Sequence, residues 1–173
     1  LLVESHWDLG RQRQLTTQCA VSNPVTTAFS DLSLPPLNLL ENNRWPNVEG
    51  RVAMGWGEKP PQPQAPRPFE LGVSGLVGQL RRTDFPENHI HDVWAFGVDT
   101  HVGLTDRVGF NGEFFMGQSI GNYNAGIFLV DNENFSAVRS TGGWGEIYVN
   151  WTPCLRSHSV SYTHLTLPTI LLV

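Results

Sequence analysis

The sequence predicts an all-β protein, an antiparallel up-and-down meander that forms part of a transmembrane β-barrel and is incomplete in this chain. Three observations carry this expectation. Apolar residues recur with period two rather than 3.6 in five successive segments from residue 48 onward. Each segment runs about ten residues, longer than the usual globular strand of about five or six and matching the roughly nine to eleven that cross a bilayer at a tilt. The face opposite the apolar one carries glycine, serine and single charges, whereas a soluble sandwich would coat its outer face with Lys, Thr and Glu.

Taken in order, residues 1–45 fit this pattern poorly. "RQRQLTTQCAVSNPVTTAF" alternates only briefly and "LPPLNLLENNRWP" reads as a loop, so a distorted strand pair, a plug segment and partly out-of-frame sequence all remain open there. In residues 48–57, Val48, Val52, Met54 and Trp56 share one face while Glu49, Arg51, Ala53 and Gly55 share the other. Residues 69–78 set Phe69, Leu71, Val73 and Val77 against Glu70, Gly72, Ser74 and Gly78, with Leu76 the exception. Residues 93–102 set Trp94, Phe96, Val98 and Val102 against Ala95, Gly97, Asp99 and His101. Residues 107–117 set Val108, Phe110, Phe114 and Met116 against Arg107, Asn111 and Glu113, with Phe115 on the wrong side. Residues 142–151 are the least regular: Ile147, Val149 and Trp151 face one way and Trp144, Glu146, Tyr148 and Asn150 the other.

The connections alternate in length, as the short turns and long loops of outer-membrane barrels do. Residues 103–106 form a short turn, while 81–91 and 118–142 are expected to be long loops. The proline-rich stretch 59–68 falls on the short-turn side and is expected to be a stiff extended spacer. Trp56, Trp94 and Trp151 lie near segment ends, where an interfacial aromatic girdle would sit. Keeping apolar with apolar across the short turn predicts Phe96 opposite Phe114, Trp94 opposite Met116 and Asp99 opposite Asn111. That register needs an odd-length turn, either residues 104–106 or residues 103–107.

Composition narrows the function. The charged fraction is 16%, below the roughly 25% usual for soluble domains. The apolar residues form no run near the roughly 20 that a membrane helix requires. A single lysine, Lys59, stands beside ten arginines at a net charge of −5, so no basic stripe tracks a phosphate backbone and no nucleic-acid partner is expected. Cys19 and Cys154 form no Cys-x-x-Cys and no disulfide framework, and the redox compartment stays open. The chain starts at Leu1 without a signal-peptide pattern and reads as a fragment. "VSYTHLTLPT", residues 160–169, is similar to one reading frame of a transposase adapter used in sequencing libraries, so the natural protein is expected to stop near Ser159 and the tail to pack poorly. The resulting organisation is an ill-defined segment 1–45, a barrel part 46–158 and an adapter-derived tail 159–173.

Gly117, Ser119 and Gly121 have the Gly-x-Ser-x-Gly spacing of a serine-hydrolase nucleophile elbow, with Asp131 and His158 following in triad order. An elbow needs a helix directly after the serine, yet Asn122, Tyr123, Asn124, Ala125 and Gly126 are poor helix formers, so no enzyme and no catalytic residue is expected. His89 and His91, beside Asp92, have a spacing some metal sites use, but no third ligand is placed, and neither metal nor cofactor is expected. Asn134-Phe135-Ser136 is a glycosylation sequon that a bacterial setting voids. Arg51, Glu70, Asp99, Arg107, Asn111, Glu113 and Glu146 occupy the polar face and are the candidate pore-lining residues. Arg139, expected in the long loop before Gly142, is the candidate for a loop constriction.

"RVGFNGEFFMGQSIGNYNAGI" followed by "RSTGGWGEIYVNWTP" resembles the porin-like outer-membrane β-barrel proteins of planctomycete-type bacteria. The resemblance spans about residues 46–158 and rests chiefly on residues 112–115, 121–123 and 139–144. It implies a passive channel in the bacterial outer membrane, with outer-membrane lipid and small solutes as partners and homo-oligomeric assembly open. In that family Gly-x-Ser-x-Gly lies where a strand leaves the membrane. The alternative is a secreted soluble β-sandwich or binding module. The apolar face separates the two, being buried between sheets in the module and uncovered in the barrel.

Overall fold

The computed structural model describes residues 1–10, 12–22, 45–58, 67–84, 87–120, 137–152 and 154–167, with the side chains of 80–84, 87–89 and 164–167 outside that description. Eight strands follow one another: β1 (Leu2–Asp8), β2 (Arg13–Ser22), β3 (Asn47–Trp56), β4 (Phe69–Asp84), β5 (Glu87–Gly103), β6 (Val108–Gln118), β7 (Arg139–Thr152) and β8 (Leu155–Leu167). Each pairs antiparallel with its sequence neighbours, giving one sheet in the order β1 to β8. The sheet is open, since among the described residues β1 and β8 do not meet. The expected all-β antiparallel meander is therefore present, with no helix among the described residues.

Alternation sorts the side chains onto two faces as the sequence predicts. Rows such as Val52–Val73–Val98–Phe114 and Trp56–Phe69–Val102–Phe110–Ile147 run across one face. That face is uncovered, with Val52 at 53%, Phe114 at 49% and Ile147 at 54% exposure. The other face is more enclosed; along β4 Gly72, Leu76 and Gly78 are buried while Leu71, Val73 and Val77 are exposed. The two residues that broke the alternation, Leu76 and Phe115, meet there with Val93 and Ile120 in a buried apolar cluster, and Ala95 packs against it. Their misfit is thus a local core on an otherwise polar surface.

Several expectations require correction. Within the loop expected at residues 81–91, residues 81–84 and 87–91 are strand. β4 and β5 continue into it, with Thr83 opposite Asn88 and Asp84 opposite Glu87. Trp94 consequently sits inside β5 rather than near its end, whereas Trp56 closes β3 and packs on Phe69 at 5.0 Å between ring centroids. Across the β5–β6 turn the register is displaced by two residues. Phe96 faces Met116, Val98 faces Phe114 and Asp99 faces Glu113. Parity is preserved, so both faces survive the shift. The turn between the paired Gly103 and Gly109 has five residues, an odd length as required, and Thr105 Oγ1 accepts from the backbone nitrogens of Arg107 and Val108 at 3.2 and 2.9 Å.

At the N-terminus, Leu2–Asp8 and Arg13–Ser22 form a regular strand pair rather than a distorted one, with Gly10 and Gln12 between them both at positive φ, while residues 23–44 of the ill-defined segment lie outside the described residues. Residues 155–167 make a ladder with β7 apart from an irregularity at Asn150–Thr152, and within it residues 160–167, part of the tail expected to pack poorly, pair continuously. Their described side chains up to Thr163 are nevertheless exposed. The proline-rich residues 59–66, the sequon at 134–136 and residues 121–123 of the family resemblance lie outside the described residues.

Candidate functional site

The polar face is a set of side-chain bridges between strands, laid out by the register. Arg51 on β3 reaches across β4 to β5, donating from Nε to Asp99 Oδ1 at 2.9 Å and from Nη2 to Asp99 Oδ2. The same Nη2 meets Glu70 Oε1 at 2.8 Å, so one guanidinium is held by two carboxylates. The bridge passes over Gly72. A Cβ at that position would lie 2.5 Å from both Asp99 carboxylate oxygens and 2.7 Å from Arg51 Nη2, so only glycine leaves room. On the β1 side the row continues through Gln18, directly opposite Arg51, whose Nε2 donates to Glu4 Oε2 at 2.8 Å. His6 Nε2 closes on Glu4 Oε1 at 2.6 Å.

A second bridge crosses β5 to β8. His101 Nδ1 and Asn111 Oδ1 are 2.6 Å apart, and Asn111 Nδ2 donates to Glu146 Oε2 at 3.4 Å. Because Asn111 turns its amide nitrogen to Glu146 and its oxygen to His101, the imidazole carries its hydrogen on Nδ1. Glu146 Oε1 also accepts from His158 Nδ1. Beside this row, Tyr148 lies over Gly109, stacks on His101 at 6.1 Å and 12°, and carries the Arg156 guanidinium 4.7 Å from its ring centroid. Trp144 Nε1 donates to Glu113 Oε2 at 2.9 Å. Carboxylates dominate: among the strand residues of this face whose side chains are described, Glu4, Asp8, Glu49, Glu70, Asp99, Glu113 and Glu146 stand against Arg51 and Arg156.

Of the candidate pore-lining residues, Arg51, Glu70 and Asp99 are brought into contact, Asn111 and Glu146 into another, and Glu113 sits between them on the same face. Arg107 is not on that face; it is an exposed turn residue whose carbonyl accepts from the Asn150 backbone nitrogen at 2.7 Å. Arg139 is not in a loop. It begins β7 opposite Gln118, on the apolar face, because the ladder starts before the glycine pair. Sequence reading missed Glu4, Gln18, His101, Tyr148 and Arg156 as participants; their polar character was the available signal, but their partners depend on register. His91 falls on the polar face and Asp92 on the other, where Gln79 Nε2 donates to it at 3.3 Å, while the His89 side chain lies outside the described residues. Among the described residues no three His, Cys, Asp or Glu side chains converge as metal ligands.

No protein-family model matches the chain, and no curated protein or solved structure matches it either. The functional reading therefore rests on the geometry.

Ser119, the candidate nucleophile, is buried at 2% exposure and its Oγ has no hydrogen-bond partner among the described residues. Its φ of 55° marks a left-handed turn at the end of β6, and its backbone nitrogen donates to the Val138 carbonyl at 2.8 Å. Among the described residues neither His158 nor a carboxylate is bonded to it; His158 is engaged by Glu146, and Asp131 and Gly121 lie outside the described residues.

Proposed function

We propose that this sheet is the wall of a porin-like channel of a bacterial outer membrane, with the apolar face toward lipid and the bridged polar face toward a water-filled lumen that passes small solutes. The observation that carries the reading is the uncovered apolar face. Val52, Val73, Phe96, Phe114 and Ile147 form an exposed apolar surface across five adjoining strands. A domain in water buries such a surface against a second layer, and contiguous patches beyond a few hundred Å² are rare on soluble monomers. Hydrocarbon covers it at no such penalty, and strand backbones satisfied by neighbouring strands are one of the two ways a chain can cross a membrane. The soluble-sandwich reading needs a second sheet over these residues, and among the described residues every strand belongs to the one sheet.

The surplus of carboxylates gives the lumen a negative field, which favours small cations and neutral polar solutes over anions. The two arginines of this face whose side chains are described are already engaged, Arg51 by two carboxylates and Arg156 by Asn150 Oδ1 and the Tyr148 ring. The test is incorporation of the detergent-refolded protein into planar lipid bilayers. Stepwise conductance with a reversal potential toward cation preference is expected. A protein that is monodisperse in water without detergent and gives no conductance overturns the reading.

A further inference from the structure

Two rows of the apolar face differ from everything between them. One begins at Arg13 and runs through Trp56, Phe69 and Val102 to Ile147; the other runs from Val21 through Val77 and Trp94 to Arg139. Eight residues separate the rows along each strand from β2 to β7, as from Arg13 to Val21 and from Trp56 to Val48. The positions of this face between them, three on each strand, are apolar residues, glycine, threonine or Cys19, and none is charged. Thr100 and Thr141 turn their hydroxyls to the backbone carbonyls of Glu70 and Phe115 at 3.0 and 3.2 Å, which satisfies both donors within the sheet. Charge returns at the rows themselves. Arg13 and Arg139 are exposed, and their side chains make no hydrogen bond or ion pair among the described residues. One step past Trp94 on this face stands Asp92, exposed and bonded by Gln79, yet β4 and β5 stay paired beyond it to Asp84 and Glu87. Eight residues of strand at about 3.4 Å each cover about 27 Å, and at a tilt of roughly 35–45° about 20 Å, close to the apolar band of roughly 25 Å on outer-membrane barrels.

We propose that the two rows lie at the headgroup levels of the membrane, that Arg13 and Arg139 bind lipid phosphate in opposite leaflets, and that the paired stretch of β4 and β5 beyond Gln79 and Asp92 stands clear of the bilayer. The proposal rests on the lipid-facing reading of the apolar face given above. An arginine at the hydrocarbon edge keeps its apolar stem along the strand while its guanidinium reaches the phosphates, whose oxygens it binds in pairs. This accounts for Trp94 lying inside β5 rather than at its end, because the strand continues after it leaves lipid. It also gives Arg139 a role outside the lumen, on the face where the register puts it.

The chain carries its own reporters: Cys19 lies on the apolar face between the rows, Cys154 lies past the Ile147 row, and both are exposed in the sheet. In phosphatidylcholine nanodiscs a charged maleimide is expected to label Cys154 and spare Cys19, with both labelled in urea. With the native cysteines changed to serine, Ile90→Cys should label as Cys154 does and Val52→Cys should be spared, although both side chains are exposed in the sheet. Protection of Ile90→Cys along with Val52→Cys overturns the boundary and leaves the lipid-facing wall standing; labelling of Cys19 and Val52→Cys at the rate of Cys154 overturns the lipid-facing reading itself. For the phosphate contacts, the urea midpoints of the wild type and of the double variant Arg13→Gln, Arg139→Gln are compared in vesicles in which phosphatidylglycerol progressively replaces phosphatidylcholine. The wild type should gain on the variant as phosphatidylglycerol rises, and a constant gap refutes the contacts.

Discussion

Replacing Gly72 by alanine tests the polar-face architecture most directly. The added Cβ would fall 2.5 Å from both oxygens of Asp99 and 2.7 Å from Arg51 Nη2, against 3.4 Å for ordinary contact, a shortfall of about 0.9 and 0.7 Å. The atoms in the way are the two halves of one bidentate pair, so making room for the methyl displaces the pair from its place over the sheet and disturbs the 2.9 Å Nε–Oδ1 bond and the contact with Glu70. A charge-assisted hydrogen bond contributes about 1.5–3 kcal/mol when well shielded. The side chains of Arg51 and Asp99 retain 25% and 29% exposure, which lowers the expected loss to about 1–2 kcal/mol. Alanine in a strand returns roughly 0.5–1 kcal/mol relative to glycine, leaving Gly72→Ala destabilised by about 1 kcal/mol. Gly50→Ala is the control: it sits on the other face with only the Gln18 carbonyl at 3.8 Å, and it should be neutral or gain stability. Urea unfolding of the refolded protein in detergent micelles, followed by tryptophan fluorescence, measures both. Equal midpoints for Gly72→Ala and Gly50→Ala would refute the bridge. So would a full additional loss when Asp99→Ala is combined with Gly72→Ala, since both remove the same interaction.

Val98→Arg, placed between Val73 and Phe114 on the uncovered face, should oppose membrane insertion by roughly 2–4 kcal/mol, and normal insertion into vesicles would contradict a lipid-facing position. Glu113→Gln keeps the shape of the acceptor for Trp144 Nε1 and removes a charge from the polar face; folding should be unchanged and, if the channel proposal holds, the reversal potential should shift toward anions in planar-bilayer recordings. Ser119→Gly relieves the left-handed strain and should raise stability by roughly 0.5–1 kcal/mol in the urea assay, an unexpected result being a loss. A serine-directed phosphonate should leave Ser119 unlabelled in the folded protein; labelling there that disappears in Ser119→Ala would restore the nucleophile.

Alternation made the strands and their faces legible because a period of two is a property of each strand alone. Register is not. Parity distinguishes one face from the other but is blind to a displacement by two, and this is how Phe96 came to be expected opposite Phe114 rather than Met116. Everything depending on neighbours was lost with it: the reach of Arg51 to Asp99, the His101–Asn111–Glu146 row, the stacking of Tyr148 on His101. The continuation of β4 to Asp84 and of β5 from Glu87 was hidden by Asp84, Pro86 and Asn88, residue types common in loops. Leu76 and Phe115 were readable as exceptions, but only the turn at Ser119 reveals what they pack against.

A meander of neighbouring hairpins can assemble piecewise, and its ladders alone would tolerate a strand settling two positions away from its proper place. The Arg51 bridge does not tolerate it. It joins β3 to β5 over the intervening strand, and a two-residue slip of either would carry Asp99 away from the guanidinium. The contact therefore acts as an alignment key. It closes only when three strands are in step, and it marks the correctly registered wall as the one arrangement in which Arg51 finds both of its carboxylates.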